Sequence, residues 1–211
     1  MSVINGALFT DIRKFHTPES NINTAVIVID ESDGKWFSET AKNHLIRIQK
    51  QQDTLRFCMG LGCKIIVVHE HYEQFPIHIY SIITEPDFSC IKRSPGVLNS
   101  ATSPPLLPFL EKNNITSLVL MGGLYSMCVR ESLIGCCSLG MRYSGILNHQ
   151  ITVLTSPGLL ASYKPEMYPL EPKFSPDARS FENINPDYVD NTNWPLFALH
   201  PGIRIYTRLD E

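Results

Sequence analysis

Short apolar runs rich in β-branched residues recur along the chain, and longer amphipathic stretches separate them. "TAVIVID", residues 24–30, predicts a buried parallel strand that delivers an acid, Asp30, at its carboxyl end. In "SETAKNHLIRIQKQQDTLRFCMGLG", Ala41, Leu45, Ile48, Leu55 and Cys58 recur at near-helical spacing and glycines close the stretch, which predicts a helix. "CKIIVVHEH" predicts a second buried strand and "PPLLPFLEKNNI" a short helix with proline near its start. "TSLVLMG" predicts a third strand, followed by a helix in "SMCVRESLIGCCSLG" whose apolar face holds Val129, Leu133 and Cys136 or Cys137. "QITVLTS" and "GIRIYTR" predict two further strands.

Strands alternating with helices imply an α/β fold with a parallel sheet and right-handed crossovers. Ligands of such sheets sit in the crevice beyond the carboxyl ends of the strands. Asp30 and the Gly122-Gly123 turn before Cys128 both fall on that edge. The section from Pro157 to Pro201 breaks the alternation: it holds eight of the 15 prolines and shows no sustained periodicity. It is expected to be an irregular excursion, at about 157–201, of the kind that forms a lid or an oligomer arm.

A chain of 211 residues with 43% hydrophobic content suits one core, so a single domain over 1–211 is expected. A net charge of -3 and a pI near 6.2 provide no large positive field. Nucleic acid and anionic membrane surfaces are therefore excluded as partners, and a small-molecule substrate is expected. The N-terminus lacks a basic segment followed by a long apolar one, and no apolar stretch approaches the roughly 20 residues of a membrane span. Six cysteines, Cys58, Cys63, Cys90, Cys128, Cys136 and Cys137, lie mostly inside expected elements rather than in a disulfide framework. A reducing, cytoplasmic setting fits that usage.

Three residues carry the candidate chemistry. Cys128 lies about one turn into the expected helix after the glycine turn, where unpaired amides and the helix dipole lower a thiol pKa from about 8.5. A buried structural cysteine is the competing reading. Asp30 either orients or deprotonates that thiol, or caps a neighbouring helix. Lys92, in "CIKRSPGVLNSATSPPLLPFL", either holds Asp30 ionised and meets a substrate carbonyl, or forms a solvated pair with Arg93.

Taken in order, a strand ending in Asp, a Lys before a Ser/Thr-containing loop and an "LLPFL" helix, and then strand, glycine and Cys-Val resemble the isochorismatase-like cysteine hydrolase superfamily. The likeness spans about residues 24–155 and is most specific in "SLVLMGGLYSMCVRES". It implies a three-layer α/β/α, Rossmann-like fold with a mostly parallel sheet of about six strands, and an Asp-Lys-Cys triad formed by Asp30, Lys92 and Cys128. It further implies a cis peptide between Gly123 and Leu124, an oxyanion hole made by the backbone amides of Leu124 and Cys128, and a homo-oligomer. Ser32 stands where the family commonly has glutamine, and Tyr125 where it has threonine. Ser32, His69, His71 and Tyr125 are thus the substrate-pocket candidates.

"VHEHYEQFPIH" carries His69, His71 and His78 after a strand, and two histidines at i and i+2 face one side of an extended segment. Nicotinamidases of the superfamily hold a metal here through an Asp-x-His-x5-His pattern. This chain has His69 at the Asp position and one residue too many before His78, so no cofactor is expected, with zinc at His69 and His71 as the alternative. The leading functional expectation is a cysteine hydrolase that cleaves an amide or ureide C–N bond through a thioester. The alternatives are a vinyl-ether hydrolase of the isochorismatase type and a catalytically silent binding or assembly protein.

Overall fold

The computed structural model of the chain describes residues 7–34, 39–70, 76–93, 96–123, 128–136, 143–161 and 202–205. Its strands are β1 (Asn23–Ile29), β2 (Lys64–Glu70), β3 (Phe88–Lys92), β4 (Ile115–Gly122), β5 (Gly135–Cys136), β6 (Tyr143–Ser144), β7 (Thr152–Thr155) and β8 (Ile203–Ile205). The helices are α1 (Ala7–Phe15), α2 (Ala41–Leu61), α3 (Ile77–Tyr80), α4 (Leu106–Lys112) and α5 (Arg130–Ile134). Six strands form one sheet in the order β3-β2-β1-β4-β7-β8, and every described pairing within it is parallel. β5 and β6 form a separate antiparallel ribbon.

Alternation along the strands builds two cores, one on each side of the sheet. Ala25, Ile27 and Ile29 of β1, with Ile66 and Val68 of β2 and Cys90 of β3, face Leu106 and Leu110 of α4 and Leu133 of α5. Val26 and Val28, with Ile65 and Val67, face Leu8 and Ile12 of α1 and Leu55 and Cys58 of α2. The result is the expected three-layer α/β/α architecture. Among the described residues, no helix is long and apolar enough to cross a membrane.

Strand order reverses between β1 and β4, and such a switch point opens a crevice at the carboxyl edge of a parallel sheet. Gly122 closes the two strands at this edge. It adopts φ +119, and a Cβ there would lie 2.0 Å from the Ile29 carbonyl oxygen. Only glycine lets the chain pass so close while the Gly123 amide donates to Ile29 O at 2.9 Å.

The helix over residues 41–61 is present, capped by Thr40 Oγ1 accepting from the Asn43 amide and closed by Gly62 at φ +82. Its inward face differs from the expected one. Leu45 is 66% exposed, whereas Arg47 and Gln51 are buried. Arg47 meets Glu31, and it donates to Glu39 at 2.6 and 3.0 Å. Gln51 donates to Glu31 at 2.6 Å and its Oε1 accepts from His78 Nε2 at 3.0 Å, and His78 in turn meets Asp33 at 2.8 Å. Polar residues therefore occupy this face because Glu31, which follows Asp30 in the chain, must be matched there.

The expected helix through Cys136 or Cys137 also stops short. α5 ends at Ile134 because Gly135 turns out at φ +83 and pairs with Ser144, placing Cys136 in the ribbon. Cys137 lies outside the described residues, as does most of the proline-rich excursion. β3 and α1 were not marked by the hydrophobic pattern. β3 is an edge strand whose exposed positions are Ser89 and Ile91 and whose inward positions are Cys90 and Lys92, so its charge sits where the apolar alternation requires a hydrophobe.

Arg47→Met should lower stability by about 3–5 kcal/mol, because it leaves buried carboxylates of Glu31 and Glu39 without their cation. Leu45→Ala should change stability by no more than about 0.5 kcal/mol. Urea unfolding of the two variants checks both, and the opposite ranking would contradict the inward polar face.

Candidate active site

Four adjacent strands deliver four candidate side chains to the carboxyl edge of the sheet. Asp30 follows β1, Glu70 ends β2, Lys92 ends β3, and Cys128 follows β4. Asp30 adopts φ +44, a conformation that costs a non-glycine residue about 1–2 kcal/mol. Its amide still donates to Val68 O at 2.9 Å, so the residue stays tied to β2 as the chain leaves the sheet.

Register and alternation set the rest. Glu70 and Lys92 are direct partners in the β2–β3 ladder. By period-two alternation they share the sheet face of Val68 and Cys90, the face on which Cys128 packs. The Lys92 ammonium lies 2.6 Å from Asp30 Oδ2 and 2.7 Å from Glu70 Oε1. The lysine is fully buried, the Asp30 side chain 1% exposed and the Glu70 side chain 12% exposed. Cys128 Sγ donates to Glu70 Oε1 at 3.7 Å. One ligand atom each from Asp30, Glu70 and Cys128 lies within 4.8 Å of the others.

The electrostatics follow from this packing. Burial works against the Lys92 charge, but Asp30 and Glu70 outweigh it and hold the ammonium protonated well above the ordinary lysine range. Burial pushes the Cys128 thiol up, and the Asp30 and Glu70 carboxylates push it further, against the opposing effect of Lys92. This reverses the thiol acidity expected from a helix start. Cys128 and Val129 form a helical turn leading into α5, but two carboxylates stand against the sulfur. The Cys128 sulfur is therefore held as a neutral thiol, with a carboxylate oxygen already in contact.

The structure brings Asp30, Lys92 and Cys128 together, and Lys92 is not the surface partner of Arg93. It adds Glu70, which the strand-end pattern "VHEH" concealed between two histidines. Parity would have found it, since Glu70 is two positions from the inward Val68. His69 takes the opposite face, is buried, and has Nε2 3.1 Å from the Tyr80 hydroxyl. Burial lowers its pKa to about 4. Ser32 Oγ accepts from the Gly34 amide at 3.1 Å and so shapes the turn after Glu31. His71, Leu124, Tyr125 and the Gly123–Leu124 peptide lie outside the described residues.

Asp30, Glu70 and Cys128 form a donor set suited to a divalent cation. The Lys92 ammonium already sits within ion-pair distance of both carboxylates, so a metal ion would have to displace it. His69, on the other face, cannot complete that donor set without a change of strand register.

No protein-family model matches this sequence. A search of curated proteins finds no match either. Solved structures do match. A nicotinamidase from Staphylococcus aureus superposes with a TM-score of 0.51 at 16% identity, covering 68% of this chain and 85% of its own. An isochorismatase-like hydrolase from Alkaliphilus metalliredigens gives 0.51 at 19% identity, covering 69% and 85%. N-carbamoylsarcosine amidase from Thermoplasma acidophilum gives 0.51 at 15% identity, covering 90% of this chain and 98% of its own. With its parallel sheet, its switch-point crevice and these likenesses, the chain has the fold of the isochorismatase-like hydrolases.

Proposed function

We propose that this chain is a cysteine hydrolase that cleaves the C–N bond of a small amide or ureide through a Cys128 thioester. The observation that carries this reading is the Lys92 ammonium, buried between Asp30 and Glu70, with the Cys128 thiol against the same carboxylates. A structural cysteine has no need of an acid pair and a buried lysine at its sulfur.

In this reading Asp30 takes the thiol proton as Sγ attacks the carbonyl carbon, and Lys92 keeps Asp30 anionic until that moment. The backbone amides of Leu124 and Cys128 hold the oxyanion. The tetrahedral adduct collapses, the C–N bond breaks, and Asp30 returns its proton to the departing nitrogen. Water then cleaves the thioester, releasing the acid and the thiol. Every step uses the chain's own side chains and backbone amides with one water, so the reading needs no metal and no organic cofactor.

A panel of small amides and ureides, assayed for released ammonia or amine, should contain at least one substrate. On it, Cys128→Ala and Asp30→Asn should each lose about 10²-fold or more in kcat. Near-parental turnover of a folded Cys128→Ala protein would rule the thioester route out.

Alkylation supplies a test that needs no substrate. Asp30 raises the Cys128 thiol pKa, so neutralising it must lower that pKa. The pH midpoint of Cys128 alkylation by iodoacetamide should therefore move to lower pH in Asp30→Asn even as hydrolysis is lost. Peptide mass spectrometry across pH 6 to 10 reads the midpoint, and a shift to higher pH would contradict the charge arrangement described here.

A further inference from the structure

The three-residue scheme leaves one carboxylate unused. Glu70 Oε1 is in contact with both the ammonium and the nucleophilic sulfur, at 2.7 and 3.7 Å. Asp30 and Glu70 flank the same Lys92, yet they differ in access: the Asp30 side chain is 1% exposed and that of Glu70 is 12%. Asp30 is the inner acid and Glu70 the outer one.

This difference matters at the second half of the reaction. Once Sγ carries an acyl group, the water that cleaves the thioester must arrive from solvent. It meets the more exposed carboxylate, Glu70, before the buried Asp30. We infer that Glu70 is a further catalytic residue, the general base that activates water for cleavage of the Cys128 thioester, whereas Asp30 serves the acylation half. The inference rests on the hydrolase reading above.

The step balances without any added reagent. A water O–H proton passes to the Glu70 carboxylate as the water oxygen bonds to the thioester carbon. The tetrahedral adduct then expels the sulfur, breaking the C–S bond, and Glu70 returns the proton to Sγ. The free acid and the neutral resting thiol result. Lys92 makes the division workable, because one ammonium lies within 2.7 Å of both carboxylates and so stands beside the base of each half-reaction.

The test uses p-nitrophenyl acetate on the full chain, since its leaving group departs without a proton and acylation is seen as a burst of nitrophenolate. Glu70→Gln should keep the burst and slow the steady phase by about 10²-fold. Intact-protein mass spectrometry should find acetylated Cys128 accumulating. Hydroxylamine, a nucleophile that needs no base, should then clear the acetyl group at the speed seen in the parent. Rescue of this kind would not follow from a merely distorted site.

Steady turnover of Glu70→Gln at the parental rate overturns the assignment. Loss of the burst in a folded Glu70→Gln protein does so too, as does failure of hydroxylamine to clear the acetyl group. If the Gln variant does not fold, Glu70→Asp is read in the same assay. Retraction of its carboxylate should slow the steady phase and spare the burst, and an unslowed steady phase overturns the assignment. A parent protein never acetylated at Cys128 removes the hydrolase reading itself, and this inference with it.

Discussion

A lysine ammonium buried between two carboxylates is the constraint around which this protein is arranged. Taking Lys92 out of water is costly unless its charge is matched at close range, and Asp30 and Glu70 match it at 2.6 and 2.7 Å. Matching it requires β1, β2 and β3 to be in register and to end at the same level, because Glu70 and Lys92 are ladder partners. A one-residue slip would send Glu70 to the face now occupied by His69 and leave the ammonium with one partner. The cluster thus ties the candidate site to the register of the sheet.

Support for the acid at the end of β1 comes from a second buried network. Glu31, the residue after Asp30, is gripped by Arg47 and Gln51 from α2, and Ser32 and Asp33 continue the loop through hydrogen bonds to Gly34 and His78. Asp30 itself sits at φ +44. Surroundings must enforce such a conformation if it is to persist. α2 therefore does more than cover the sheet: its polar inner face positions the strand end that presents the acid. This accounts for Leu45 pointing to solvent in a helix that otherwise packs as a core element.

The thiol shows how local and tertiary effects oppose each other. A cysteine after a glycine turn at a helix start has the features of an activated thiolate. Beside Asp30 and Glu70 it is instead held neutral, with a carboxylate in contact with it. Such a thiol is guarded against adventitious oxidation and alkylation, since the thiolate is the reactive form. Cys90, behind the cluster, is pushed up to about 12 by burial and by Asp30, and stays inert for the same reason.

Sequence alone determined the strands with strong apolar runs, their parallel arrangement, and, through an ordered pattern of motifs, the trio Asp30, Lys92 and Cys128 that the structure gathers at the carboxyl edge. Periodicity reports burial, and those elements are buried in the ordinary way. Tertiary structure decided what periodicity cannot report. β3 lacks the apolar alternation because its inward Lys92 is charged, and the inner face of α2 departs from apolar periodicity because Arg47 and Gln51 are buried by pairing with Glu31 rather than by apolar transfer. Glu70 and His69 are neighbours in sequence, yet pleat and register alone sent one to Lys92 and the Cys128 sulfur and the other to Tyr80. A charge becomes a core residue only when its partner arrives from elsewhere in the chain, and that meeting is decided in three dimensions.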